Sequence, residues 1–468
     1  MNILHISAEC YPVAKVGGLA DVVGALPKYL NESGQRASVV MPFYDLPFTQ
    51  RNKFETVYKD SVFVASDNYE FRVLKLKGNA VEFDLYFIDI PELLFKDYVY
   101  SYDDSLRFTA FQIVTLKWVQ THKDKPDVVH CHDHHTGLIP FMMQYCYRFE
   151  NLKNIPTVLT IHNAQYQGWF SHDRIDMIPE FDKKHVGLLD WDDSINPLAT
   201  AIKCAWRVNT VSPSYMEELK QNANGLESLL SHEFAKCSGI LNGIDTKVWN
   251  TETDTYIKKR FKATSQVSGK KANKKWLCKT YGLDINKPLF AFIGRLVYEK
   301  GSDLFPEVFD AFLKKHDVSI FLLGSGDAET EQQLNALKDK HNGRFNTFIG
   351  YDEELSHIIY AGADFLLMPS RVEPCGLNQM YSLTYGTIPI VRSIGGLKDT
   401  IVDIEDGGFG FTHKETSVEG ILNAMNRATV FYENTAQFRK TRKHIMSIDH
   451  SWDNSAQQYI NLYNSLKN

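Results

Sequence analysis

The chain has 468 residues, too many for one ordinary domain, and its 44% hydrophobic content is enough to build two cores of about 200 residues each. A formal net charge of −6 gives no reason to expect nucleic acid or an anionic membrane as partner, so any anionic ligand must be met by locally placed cations. Seven cysteines, widely spaced and without a CxxC pair, argue against a disulfide framework or a zinc ribbon and predict a reducing, cytoplasmic setting.

The chain opens with NILHISAE, a buried-strand pattern with no basic region, apolar stretch and cleavage site of a targeting peptide. No apolar run approaches the roughly 18–20 residues of a membrane span. After this first strand (residues 3–7) comes Lys15-Val16-Gly17-Gly18-Leu19-Ala20-Asp21, which opens a helix. Paired glycines let a backbone approach a ligand, and a helix start offers free N–H groups to an anion. Lys15 adds a mobile charge, although a glycine-rich turn is equally well explained as structural. Leu19, Val22, Val23, Leu26 and Leu30 give that helix one apolar face, and Gly34 is its stop.

Further strands are expected at 37–41, 128–132, 158–162, 209–212 and 239–242. Between them, 71–76 and 81–87 alternate in period two around Gly78-Asn79, which predicts an antiparallel hairpin. His130, His132, His134 and His135 surround Asp133 at the end of one strand. A metal-hydrolase HxHxDH pattern would need the aspartate one position later, so a polar cluster at a strand end explains the run better. His162 and Asn163 end the next strand, where open α/β sheets collect ligands. Asp190-Trp191-Asp192 reads as an exposed acidic loop.

Residues 246–286 are rich in lysine and poor in apolar runs, which predicts a solvated linker carrying a helix. A second strand series follows at 289–294, 319–324, 347–350, 365–369 and 388–392. Strand–helix alternation throughout predicts doubly wound α/β domains. Directly after its first strand come Arg295 and Lys300, two cations five residues apart that can neutralise a diphosphate. After the strand at 365–369 comes Ser370-Arg371-Val372-Glu373-Pro374-Cys375-Gly376-Leu377-Asn378, a carboxylate just before a helix start.

Taken together and in order, KVGGLAD, DVVHCHDHH, TIHN, GRLVYEKG and PSRVEPCGLNQMYSLTYGTIPIVRSIGGLKDT make the chain resemble the glycogen/starch synthase family over nearly its whole length, to the terminal HSWDNSAQQYINLY. The resemblance implies a GT-B fold, two Rossmann-like domains facing across a cleft that closes for catalysis. It implies an N-terminal domain at residues 1–245, a donor domain at 246–450 and a C-terminal segment, 451–468, packing back on the first domain. It implies retaining transfer of glucose from ADP-glucose to the non-reducing end of an α-1,4-glucan such as glycogen, with no metal and no cofactor. UDP-glucose or a small acceptor is the alternative.

By motif match, Lys15, Gly17 and Gly18 contact the donor's phosphate and glucose, and Arg295 and Lys300 hold the diphosphate. Glu373 bonds the glucose hydroxyls, with Cys375, Gly376, Leu377 and Asn378 beside it. His162 faces the transferring carbon, with Asn242 near it, and Tyr381 lies at the nucleotide. Asp21, Asp133 and His134 fall on the acceptor side. The family commonly has Trp at His134 and often Thr at Asn378, and Tyr381 stands where the wider GT-B group has a second glutamate.

Overall fold

The computed structural model describes residues 1–466, and the chain divides into two compact units. One comprises Met1–Asn242 with the chain from Trp452 onward, the other Gly243–Ser451. Among the described residues no helix is long and apolar enough to cross a membrane.

The first unit is built on β1 (Asn2–Ile6), β2 (Arg36–Pro42), β3 (Phe54–Val64), β4 (Asp67–Leu76), β5 (Asp84–Asp89), β6 (Val128–His132) and β7 (Thr157–Ile161). A separate two-stranded ribbon, β8 (Asp190–Trp191) and β9 (Ser194–Ile195), precedes β10 (Arg207–Thr210) and β11 (Cys237–Gly239). The nine-stranded sheet runs β11-β10-β7-β6-β1-β2-β5-β4-β3. Pairing is parallel from β11 to β5 and antiparallel for β5–β4 and β4–β3. Every residue of β6 and β7 is buried, which is why both read as unbroken runs and not as alternation. Strand order reverses at β1, whose neighbours β2 and β6 lie on opposite sides. Ligands collect beyond the carboxyl ends of strands at such a point.

The helix Gly18–Glu32 buries the apolar face read from its spacing. The chain then turns at Gly34, whose φ is +80°. The helix Trp452–Asn464 packs Trp452, Ala456, Tyr459, Ile460 and Tyr463 against Val22, Leu26 and Tyr29. Full burial of one large apolar side chain is worth about 1.5–3 kcal/mol, so packing and not helix propensity holds this segment.

Two expectations are corrected in this unit. The predicted hairpin exists as β4–β5, but β5 starts at Asp84 and also pairs with β2, and β4 pairs along most of its length with β3. β3 escaped notice because its first residues are largely exposed and polar, giving little alternation. The Asp190-Trp191-Asp192 run is acidic and exposed at Asp192 as expected, but it is a ribbon and not a loop: Asp192 and Asp193, with φ of +53° and +56°, form the tight turn between β8 and β9.

The second unit holds β12 (Leu289–Ile293), β13 (Ser319–Gly324), β14 (Phe345–Ile349), β15 (Phe365–Met368), β16 (Ile388–Arg392) and β17 (Phe411–His413). They form one parallel sheet in the order β14-β13-β12-β15-β16-β17, reversing between β12 and β15. The lysine-rich stretch is only partly solvated. On the helix Gln266–Tyr281, Lys270 and Lys274 lie one turn apart and both point inward. Lys270 Nζ donates to the carbonyls of Tyr360 and Tyr385 and to Thr387 Oγ1 at 2.7–3.1 Å. Lys274 Nζ bonds Asp364 Oδ2 at 2.7 Å, and Arg442 bonds the other oxygen at 2.5 Å. Lysine count misleads here because a buried ammonium is tolerated once carbonyls and a carboxylate satisfy it.

Candidate active site

In the first unit the loop after β1 is held from beneath by Glu9. Its buried carboxylate accepts the backbone N–H groups of Val16 and Gly17 at 2.6 and 3.0 Å and the Tyr100 hydroxyl at 2.6 Å. Burial raises the Glu9 pKa from the usual range, while those three donors oppose the rise. Above this support Lys15 Nζ bonds Asp21 Oδ1 at 2.7 Å, with both groups partly exposed. The two glycines meet no crowding: a Cβ on Gly17 or Gly18 would find no atom of the described residues within 4 Å. Gly17 has φ −142°, a conformation open to any residue. Neither packing nor backbone strain therefore requires glycine here, in contrast to Gly24, where a Cβ would lie 2.5 Å from the Tyr11 carbonyl oxygen.

Beyond β6 and β7 stand Asp133 and His162. Asp133 adopts φ +56°, and its carboxylate Oδ1 accepts the His162 backbone N–H at 2.7 Å. Burial pushes its pKa up to about 7, against the pull of that bond and a second one from Asn163. Beneath them lies a layer of imidazoles. His132 Nδ1 is 3.0 Å from His162 Nε2, and His132 Nε2 is 3.1 Å from His5 Nδ1. His130 sits between Tyr463 Oη, 2.7 Å from Nδ1, and Thr160 Oγ1, 2.6 Å from Nε2.

The nitrogens of His5, His130 and His132 lie within 4.8 Å of one another, close enough in distance alone to share a cation. Thr160 gives its hydroxyl proton to Asn209 Oδ1 at 2.6 Å, so His130 must donate from Nε2 and accept the Tyr463 proton at Nδ1. His130 then has no lone pair left for a metal. The His134 ring lies against His135, centroids 3.7 Å apart and tilted by 36°, and lines a small pocket of about 150 Å³ with Tyr102, Gly168 and Trp169. Asn242 is buried, with no partner for Oδ1 among the described residues.

In the second unit the loop after β12 carries Arg295, whose side chain is 60% exposed and 3.8 Å from Glu299. Lys300 Nζ lies 2.6 Å from Glu373 Oε2, and Ser370 Oγ donates to the same oxygen at 2.9 Å. Glu373 is buried, and its backbone is fixed by Gly395: a Cβ there would strike the Glu373 carbonyl oxygen at 2.0 Å, and φ is +45°. Gly376 turns the chain with φ +72°, next to buried Cys375. The helix begins at Asn378 after Leu377, and Asn378 Nδ2 donates to the Ile293 carbonyl at the end of β12 at 2.8 Å. The Tyr381 ring stacks on Trp249 at 3.7 Å. The carboxyl ends of β12 and β15 thus bring Lys300 and Glu373 into contact across 73 residues of sequence.

Residues 2–232 match the starch synthase catalytic domain family, and residues 278–444 match glycosyl transferases group 1. Over 467 residues, 99% of each chain, the sequence is 50% identical to the glycogen synthase of Flavobacterium johnsoniae. The chain belongs to the glycogen/starch synthase family. It is 37% identical to the glycogen synthase of Streptococcus pneumoniae serotype 4, with 100% of both chains covered. Among solved structures it is similar to the catalytic domain of starch synthase IV from Arabidopsis thaliana bound to ADP and acarbose, with a TM-score of 0.90, 32% identity and 99% of each chain covered. Sucrose-phosphate synthase from Thermosynechococcus elongatus, at TM-score 0.64 and 15% identity, shares the fold. Like its family, the chain is a glycosyltransferase of the GT-B fold class.

Sequence reasoning missed Glu9, Tyr100 and His5, and it placed Ser370 in the motif without foreseeing its bond to Glu373. Glu9 had a visible signal, a lone carboxylate directly after a buried strand. Tyr100 and His5 had none, because their contacts span 91 and 127 residues.

Proposed function

We propose that the chain elongates α-1,4-glucan as a glycogen synthase, transferring glucose from ADP-glucose to the non-reducing 4-hydroxyl with retention and without a metal ion. The observation that carries this reading is the Lys300–Glu373–Ser370 group at the reversal point of the second sheet. A buried carboxylate fixed by a cation suits a sugar hydroxyl on one side and a diphosphate on the other.

In this reading Arg295 and Lys300 take the diphosphate, and Glu373 accepts from the glucosyl hydroxyls. Cys375, Gly376, Leu377 and Asn378 form the turn that lets backbone N–H groups approach the phosphate, and Tyr381 borders the nucleotide. Lys15 exchanges Asp21 for a donor phosphate. The empty space above Gly17 and Gly18 supports this role, since it leaves room for a ligand to approach the backbone there. His162 and Asn242 stand by the glucosyl group, and Asp21, Asp133 and His134 serve the acceptor.

ADP leaves as a polyanion, so the cations stabilise charge that grows in the transition state. The C1–O bond to the diphosphate breaks while acceptor O4 bonds C1 on the same face, and the hydroxyl proton passes to the departing phosphate oxygen. Proton NMR of ADP-glucose with a short α-1,4-oligosaccharide tests the reading. New α-1,4 anomeric signals should appear in step with ADP. A β-linked product, free glucose alone, or a trapped glucosyl–enzyme adduct would contradict it.

A further inference from the structure

The imidazole chain beneath His162 has a consequence for how that residue meets the sugar. His5 and His132 are 0% exposed and His162 is 8% exposed, so only the last ring reaches the surface of the unit. Burial holds all three far below the usual imidazole range, His5 and His162 to about 3. Each ring is therefore neutral near pH 7 and carries one proton. At N···N distances of 3.0 and 3.1 Å, each contact needs one protonated and one bare nitrogen. One choice then fixes all three rings.

With protons directed outward, His5 Nδ1–H donates to His132 Nε2, His132 Nδ1–H donates to His162 Nε2, and His162 carries its own proton on Nδ1. With protons directed inward, every ring is protonated on Nε2. The two states differ at the far end, where His5 Nε2 is buried without a partner among the described residues. Outward, that atom is an unfilled acceptor; inward, it is a buried N–H with nothing to receive it. Orphaned buried N–H groups are the rarer of the two. His130 does not alter the choice, because Tyr463 and Thr160 occupy both its nitrogens.

We infer that His5 and His132 are positioning residues that fix His162 as the Nδ1–H tautomer, so that His162 donates a hydrogen bond to an oxygen of the transferred glucosyl group and does not act as a base. This rests on the reading that places His162 beside the donor sugar.

Full-length enzyme labelled with ¹⁵N-histidine tests the tautomer directly by long-range ¹H–¹⁵N correlation, with His162→Gln identifying the His162 signals. A protonated Nδ1 and bare Nε2 on His162 are expected; a protonated Nε2 overturns the inference. So does tightly bound zinc in the purified protein, since a metal needs the bare nitrogens that the chain uses. His132→Phe should lower kcat about tenfold or more with donor KM little changed, because the ring loses its fixed orientation. His132→Asn, whose amide can replace the Nδ1–H donor, should recover part of the loss. Unchanged kcat in a folded His132→Phe enzyme also overturns the inference. If His132→Phe does not fold, the wild-type spectrum still decides. Normal turnover in His162→Ala, which leaves no donor, with the expected wild-type spectrum, would refute the donor-site placement of His162 and not the tautomer.

Discussion

Replacing Lys300 by alanine separates two effects of one ammonium group. Its Nζ lies 2.6 Å from Glu373 Oε2, with the lysine side chain 23% and the carboxylate side chain 8% exposed. Removing one partner of a fully buried pair costs about 3–5 kcal/mol. Partial exposure of the lysine and the surviving Ser370 bond reduce the expected stability loss here to about 2 kcal/mol. Catalysis should suffer more. A preorganised group facing charge that develops in the transition state is worth about 2.7–4 kcal/mol, so turnover should fall by more than roughly a hundredfold. The double variant Lys300→Ala/Glu373→Gln distinguishes the two effects. A neutral amide needs no counter-ion, so stability should recover while turnover stays low. Urea unfolding and ADP release in the presence of glycogen read the two quantities. Near-normal turnover in Lys300→Ala, or restored turnover in the double variant, would refute the assigned role of the lysine.

Gly18→Ala should leave the fold intact and even stabilise it by about 0.4–1 kcal/mol, since the methyl meets nothing, yet lower kcat/KM for ADP-glucose at least about tenfold; unchanged kinetics would show that no ligand fills that space. Asp133, with its pKa raised to about 7, makes folding pH-dependent. Below about pH 4 both folded and unfolded chains hold the proton, and between about pH 4 and 7 only the unfolded chain releases it. Stability is therefore lost as pH rises, by up to about 4 kcal/mol. Asp133→Asn should gain on the wild type over that window in urea titrations, and a difference that is flat with pH would contradict this. Tyr463→Phe strips His130 Nδ1 of its donor and should cost about 1–3 kcal/mol in the same assay.

The doubly wound fold was legible because parallel strands buried on both faces leave unbroken apolar runs, as in β6, β7 and β13. β3 and β17 were not, the first because most of it is solvated and the second because it has three residues. Lys15, Arg295, Lys300 and Glu373 could be picked out because cations and a carboxylate beside glycine follow strand ends. What locks them could not. Glu9 under the Lys15 loop, Ser370 on Glu373 and His5 behind His132 act through contacts made only after folding. The lysines at 270 and 274 misled for the same reason: their acceptors are carbonyls and a carboxylate brought from elsewhere in the unit.

The most direct test of the central claim is a steady-state comparison of ADP-glucose and UDP-glucose as donors, with glycogen as acceptor. Nucleoside diphosphate release and chain lengthening are followed together. Efficient ADP release matched by glucan growth, with far lower kcat/KM for UDP-glucose, is the predicted result. Preference for UDP-glucose, or glycogen binding with no ADP released, would contradict it.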